Sequence, residues 1–198
     1  MFASLYDPLV AVLTLGRARS LRAATLDAAG VRPGDDVLDV GCATGPLTRA
    51  ARAAVGPDAR VTGLDASEEM LTRARARADG VDFVHGRAQR LPFAPASFDV
   101  VVLSLVLHYL DREQAAAALA EARRVLRPGG RAVVVDFARA GSAAGHVRAH
   151  LMLHGHAAAT APDHAALLTA SGLTGVRSAP CPVPALTITR GTAPGDER

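Results

Sequence analysis

Apolar positions along the chain fall into short, near-continuous runs, and these alternate with stretches of helical spacing. Five such runs predict strands: Val37 to Val40, Arg60 to Leu64 ending at Asp65, Val81 to Val84, Phe98 to Leu103 and Ala132 to Phe137. The fourth and fifth are almost wholly apolar, as in strands buried on both faces. Asp7-Pro8 opens a first helix, and a second runs to about Ala29, where Gly30 can close it. Pro46 to Val55 reads as a helix. Another starts at Ser67, has Glu68 and Glu69 in its first turn and continues to about Ala78, closed by Asp79-Gly80. Asp111 caps a helix to Leu126, with Gln114 at the capping-box position, and Pro128-Gly129-Gly130 makes a turn. Beyond Phe137 the pattern loosens into helices over 143–159 and Asp163 to Ala170. The last two strands are Val176 to Ala179 and Leu186 to Arg190.

Five alternations of strand and helix imply right-handed crossovers and a parallel sheet covered by helices. With the last two strands the sheet reaches seven. The length, 198 residues, suits one domain spanning 1–198, with N-terminal helices over 1–30, a core over 31–137 and a substrate-side part over 138–198.

Composition narrows the function more than the fold. Apolar residues make up 49% of the chain and charged ones 21%, the balance of an ordinary globular protein. The net charge is +3, carried by arginine alone, since the chain has no lysine. These arginines are spread along the sequence with few aromatics among them, which argues against a nucleic-acid surface. The two cysteines, Cys42 and Cys181, form no CxxC pair, so neither a disulfide framework nor a cysteine zinc site is expected. No signal peptide or membrane span is read, and a reducing cytoplasm is the expected compartment.

The chemistry concentrates after the first strand. In an open parallel sheet, ligands sit beyond the carboxyl ends of the strands. Asp39-Val40-Gly41-Cys42-Ala43-Thr44-Gly45 lies at such an end, and its small residues let the backbone approach a ligand closely. A dinucleotide fingerprint would want G-x-G-x-x-G, whereas this turn offers Gly41, Ala43 and Pro46, so a pyrophosphate cradle is a poor reading. Asp65 stands twenty residues after Gly45, at the end of the second strand. A carboxylate there can accept bonds from both hydroxyls of a ribose, which suits an adenosine cofactor.

With these residues in view, VLDVGCATG (37–45) resembles motif I of the class I S-adenosylmethionine (SAM)-dependent methyltransferases. VTGLDAS (61–67), LPFAPASFDVVVLSLVLHYL (91–110) and EARRVLRPGGRAVVVDF (121–137) agree in order and spacing. The chain is most similar to the small-molecule branch that includes ubiquinone/menaquinone C-methyltransferases. The resemblance implies a Rossmann-like, doubly wound, mostly parallel seven-stranded sheet with helices on both faces. It also implies SAM as cofactor, with Asp39, Gly41, Ala43 and Gly45 at the methionine part and Asp65 on the ribose. Ala66, Met70, Ala88 and Gln89 would lie about the adenine, Ser104 would face the sulfonium end, and Tyr6 would close over the cofactor. Two departures stand out: Ala43 replaces the usual glycine, and Arg87 occupies a place where the family often has an aspartate on the adenine amino group.

Transfer of an activated methyl group needs orientation first, and a base only where the acceptor must lose a proton. His108, just past the fourth strand, is the candidate base, with a packing role as the alternative. His146, His150, His154 and His156 share a drifting helical face, but no carboxylate lies nearby before Asp163, so no metal is expected. A pocket role for His150 or His154 is the more natural use. Cys42, beside a helix start, could have a lowered pKa or simply fill space. The expected partner is a small-molecule acceptor, with no nucleic acid. The asparagine-proline-proline-aromatic signature of amino methylation is absent after the fourth strand. The short chain leaves little room for a substrate cap, so the pocket is either open or completed by a partner subunit in a homodimer. The alternative to an enzyme is a SAM-binding regulatory or accessory protein without turnover.

Overall fold

The computed structural model of the chain describes residues 10–12, 14–138 and 162–195. Tyr6 and the histidines at 146, 150, 154 and 156 lie outside the described residues, as does the helix expected over 143–159. Seven strands form one sheet: β1 (Val37–Val40), β2 (Val61–Asp65), β3 (Asp82–His85), β4 (Phe98–Ser104), β5 (Leu126–Phe137), β6 (Thr174–Pro180) and β7 (Leu186–Thr192). Their order is β3-β2-β1-β4-β5-β7-β6. The first five are parallel, and β7 runs antiparallel to both β5 and β6. Order reverses between β1 and β4, which opens a crevice at the carboxyl ends of those strands.

The helices are α1 (Ala18–Ala29), α2 (Pro46–Val55), α3 (Glu68–Arg75), α4 (Arg112–Val125) and α5 (His164–Ala170), with a 3₁₀ turn over Leu107–Tyr109. Local chemistry fixes their ends. Gly30 closes α1 in the left-handed region at φ 58°. Gly45, at φ 76°, leads into α2, whose first residue is Pro46. Ser67 Oγ accepts from the Met70 amide to start α3, and Asp111 and Gln114 bond reciprocally to start α4.

Period-two alternation divides the core between the two faces. Leu38, Val40, Val101, Leu103 and Val134 pack toward α4 and α5, whereas Val37, Val100, Val102, Val133 and Val135 pack toward α1 and α2. This double burial explains the unbroken apolar runs of β4 and β5.

Most boundaries lie within two residues of the sequence expectation, and two differ by more. Helix α3 stops at Arg75 rather than near Ala78. The Arg75 guanidinium reaches the Phe83 carbonyl at 3.1 Å, which ties the helix end to β3. Residues 128–130 do not separate α4 from a strand. They belong to β5, whose register slips between the pairs Phe98–Leu126 and Val100–Arg131, with Gly129 at φ 76° absorbing the irregularity.

Candidate active site

The turn after β1 is built from two close approaches. The Gly41 and Cys42 amides both donate to the Leu64 carbonyl, at 2.7 and 3.0 Å, which folds the turn back over the end of β2. Gly41 has φ 75°, and a Cβ there would meet Val106 Cγ2 at 2.3 Å, so only glycine fits between β1 and the loop after β4. Ala43 adopts φ 49°, a left-handed conformation that costs a residue with a Cβ about 1–2 kcal/mol. In that conformation its amide donates to Asp65 Oδ2 at 2.8 Å. Asp65 Oδ1 accepts from the Ser67 amide, also at 2.8 Å. Two backbone donors thus aim the carboxylate, and each oxygen keeps a second lone pair for a ligand.

Two cavities meet over this turn. The larger, of about 570 Å³, is lined by Asp65, Ala66, Met70, Ala88 and Gln89, and also by Arg87, Val106, Tyr109 and Gln114. The smaller, of about 210 Å³, is lined by Asp39, Ser104, Thr44, Arg22 and Arg49. Gly41, Ala43 and Leu105 belong to both walls. Gly45 lines neither cavity; a Cβ on it would press on the Phe83 ring at 3.0 Å, so it shapes the bend from beneath. His108 also lines neither. Its imidazole is bonded to Asp136 behind Tyr109.

Asp39 is 2% exposed, and its Oδ2 accepts from the Thr48 hydroxyl at 2.6 Å. Burial raises its pKa to about 6, with the nearby Asp65 charge adding to the rise and the Thr48 bond opposing it. Of the two readings of Cys42 offered by the sequence, a lowered thiol pKa or a space-filling side chain, the structure agrees with the second. Burial pushes its pKa well above the ordinary range, helped by Asp39 and Asp65, and it is a space-filling residue.

Sequence reasoning missed several residues here. Arg22 reaches the smaller cavity from α1 and Arg49 from α2, where their helical settings gave no hint of a shared wall. Glu121 and Arg124 on α4 hold the loop that carries Ala88 and Gln89. Glu121 accepts from the Leu91 amide at 2.7 Å, and Arg124 donates to the carbonyls of Leu91 and Phe93 at 3.0 and 2.8 Å. His85 donates its Nε2 proton to the Ala66 carbonyl at 3.0 Å, steadying the residue after Asp65. Among the described residues, no group of three or more His, Cys, Asp or Glu could hold a metal ion.

Comparison with known proteins agrees with this geometry. A family model described as a methyltransferase domain matches residues 37–130. Over 132 residues the chain is 46% identical to the demethylmenaquinone methyltransferase of Beutenbergia cavernae, covering 67% of this chain and 53% of that protein. It is 38% identical to a ubiquinone/menaquinone biosynthesis C-methyltransferase of Ectopseudomonas mendocina, covering 71% of this chain and 56% of the relative. The chain belongs to the class I SAM-dependent methyltransferases. It spans only about half the length of these curated relatives. Two solved structures share the fold. One is a chain from the complex of the Haloferax volcanii Trm112 methyltransferase activator with a methyltransferase, at TM-score 0.77 and 22% identity, covering 98% of this chain and 97% of that one. The other is an SAM-dependent methyltransferase from Mesorhizobium loti, at TM-score 0.69 and 22% identity, covering 87% and 97%.

The cofactor of this methyltransferase family is SAM, and the residues present fit it. A cradle that admits no Cβ at Gly41, an oriented carboxylate at Asp65, and a smaller cavity with an acid and two guanidiniums match a ribose flanked by a zwitterionic amino acid.

Proposed function

We propose that this methyltransferase transfers the methyl group of SAM to a small, apolar or aromatic acceptor. The observation that carries this reading is the meeting of the two cavities over the Gly41–Gly45 bend, beside a fixed Asp65 carboxylate. SAM supplies a methyl group already activated on a sulfonium. The chain supplies orientation. Asp65 accepts from the ribose hydroxyls, Met70 and Ala88 pack about the adenine, and Gln89 borders its edge. Asp39 faces the ammonium of the methionine part, and Arg22 and Arg49 face its carboxylate. Ser104 stands at the reacting end. His108, held on Asp136 behind Tyr109, is the candidate base where the acceptor must lose a proton.

The names of the relatives support a quinone-type acceptor, and demethylmenaquinone is the first compound to offer. The reading takes the whole chain as one catalytic unit working in the cytoplasm, with a homodimer as its assembly. No helix among the described residues is long and apolar enough to cross a membrane.

The test is transfer of labelled methyl from SAM to demethylmenaquinone and to a panel of phenols and quinones. Labelled product formed at a saturable rate supports the proposal. SAM binding without product across the panel would favour a protein that binds SAM without turnover.

A further inference from the structure

The two cavities share Leu105, and residues after it form a wall of the larger one: Val106, Tyr109, Leu110 and, from α4, Gln114. The adenosine reading draws on residues at the ends of β2 and β3 and gives this wall no task. The wall is firmly set. Leu105 leaves β4 at φ 59°, a left-handed conformation that leucine rarely adopts, and its amide is anchored on the Val135 carbonyl at 2.7 Å. The amides of Tyr109 and Leu110 donate to the carbonyls of Val106 and Leu107, at 3.1 and 3.0 Å, which closes the 3₁₀ turn.

Tyr109 is 74% exposed, yet its ring is braced. It lies tilted against the His108 imidazole, with centroids 3.9 Å apart. That imidazole is held by Asp136 Oδ1 at 2.9 Å and stands edge-on to Phe137 at 5.1 Å. A line of contacts from the end of β5 thus supports the phenol ring from behind, while the residue itself lines the larger cavity. An exposed ring fixed in advance offers contact area to a ligand at little further loss of rotamer freedom.

Gln114 adds a polar point to the same wall. Its Oε1 accepts from the Asp111 amide at 3.2 Å, within the capping box. That bond fixes which end of the side-chain amide is which. The NH₂ end is therefore the donor left for a ligand, and it has no partner among the described residues.

We propose that this wall recognises the methyl acceptor: Tyr109 stacks on a flat aromatic ring, and Gln114 donates to an oxygen carried by that ring. The substrate class is then an oxygen-bearing aromatic, a phenol or quinol, rather than an aliphatic amine or acid. The proposal deepens the reading of the chain as a SAM-dependent transferase and rests on it. Ring and amide act separately. A leucine at 109 keeps apolar surface but has no π face, and a glutamate at 114 keeps the cap but has no NH₂.

The experiment is an NMR titration of the full chain, saturated with S-adenosylhomocysteine, with 2-naphthol as the probe. The expected result is saturable binding by the natural protein. Its Kd rises about tenfold in Tyr109→Leu and stays within about twofold in Tyr109→Phe, which keeps the ring. In Gln114→Glu it rises about fivefold. The Kd for S-adenosylhomocysteine, measured alongside by calorimetry, stays within about twofold in all three. Both positions are exposed, and each variant tests its own contact, so a misfolded one leaves the other to decide. No saturable naphthol binding by the loaded natural protein would overturn the proposal, as would natural affinity in Tyr109→Leu or Gln114→Glu. A tenfold loss of S-adenosylhomocysteine affinity in Tyr109→Leu would also overturn it, by giving the ring to the adenine. Failure of the natural protein to take up S-adenosylhomocysteine at all would defeat the cofactor reading and this proposal with it.

Discussion

Asp39 shows how a single buried side chain couples stability to ligand. Its pKa in the folded chain is about 6, against an ordinary value of 3.8. The folded state therefore binds more protons than the unfolded state between these values, and stability falls as pH rises through that window. The loss from this one group is about 3 kcal/mol by pH 7. Denaturant melts of the ligand-free protein at pH 4.5 and 7 should show it, and Asp39→Asn, which can still accept from Thr48, should flatten the dependence. A ligand ammonium beside Asp39 favours the ionised form, so SAM affinity should rise with pH through about 6, with proton release on binding. Gly41 makes a sharper demand. Gly41→Ala drives a Cβ into Val106 at positive φ and should cost about 2–3 kcal/mol of stability. It should also weaken SAM binding at least tenfold by titration calorimetry. The glycine turn and the acid at 65 were legible in sequence because both sit at fixed offsets from strand ends. The raised thiol of Cys42 was not, because its cause is the burial of a neighbourhood assembled from β1, β2 and α2.

At the scale of elements, α4 does more than cover the sheet. Its Glu121 and Arg124 grip the loop over residues 87–93 from a distance of some thirty residues in sequence. Arg124 pairs with Glu121 and lowers its pKa, partly offset by burial, which keeps the acceptor charged. Arg124→Ala should free the loop, raise the SAM Kd several-fold and cost about 1–2 kcal/mol in a thermal melt, without touching Asp65. Helices and parallel strands were readable because caps and apolar runs are local signals: Ser67, the Asp111–Gln114 box and Gly30 all act where the sequence puts them. The early end of α3 and the Pro-Gly-Gly segment inside β5 were not readable, since each is set by a partner strand. The same holds for Arg22 and Arg49, which share a wall only because α1 and α2 pack on one face of the sheet.

Across the whole molecule, the two ends of the sheet divide their tasks. The ligand crevice lies at the carboxyl ends of β1, β2 and β4. At the opposite ends, Arg127 pairs with Asp36, at 2.8 Å, and with Asp99, tying the starts of β1, β4 and β5 together. Burial opposes ionisation of Asp36, but its bonds to Arg127 and to the Arg60 amide outweigh it and hold the pKa below the ordinary value. Arg127→Ala should therefore lower stability by about 1–2 kcal/mol, more at neutral pH than at pH 3, and leave SAM affinity unchanged. The central claim concerns the other end. It is tested most directly by calorimetric titration of the natural protein and of Asp65→Ala with SAM at pH 7.5. Saturable one-to-one binding by the first, weakened at least a hundredfold in the second while its melting profile stays cooperative, is the expected result. No saturable heat with the natural protein, or equal affinity in both, would contradict it.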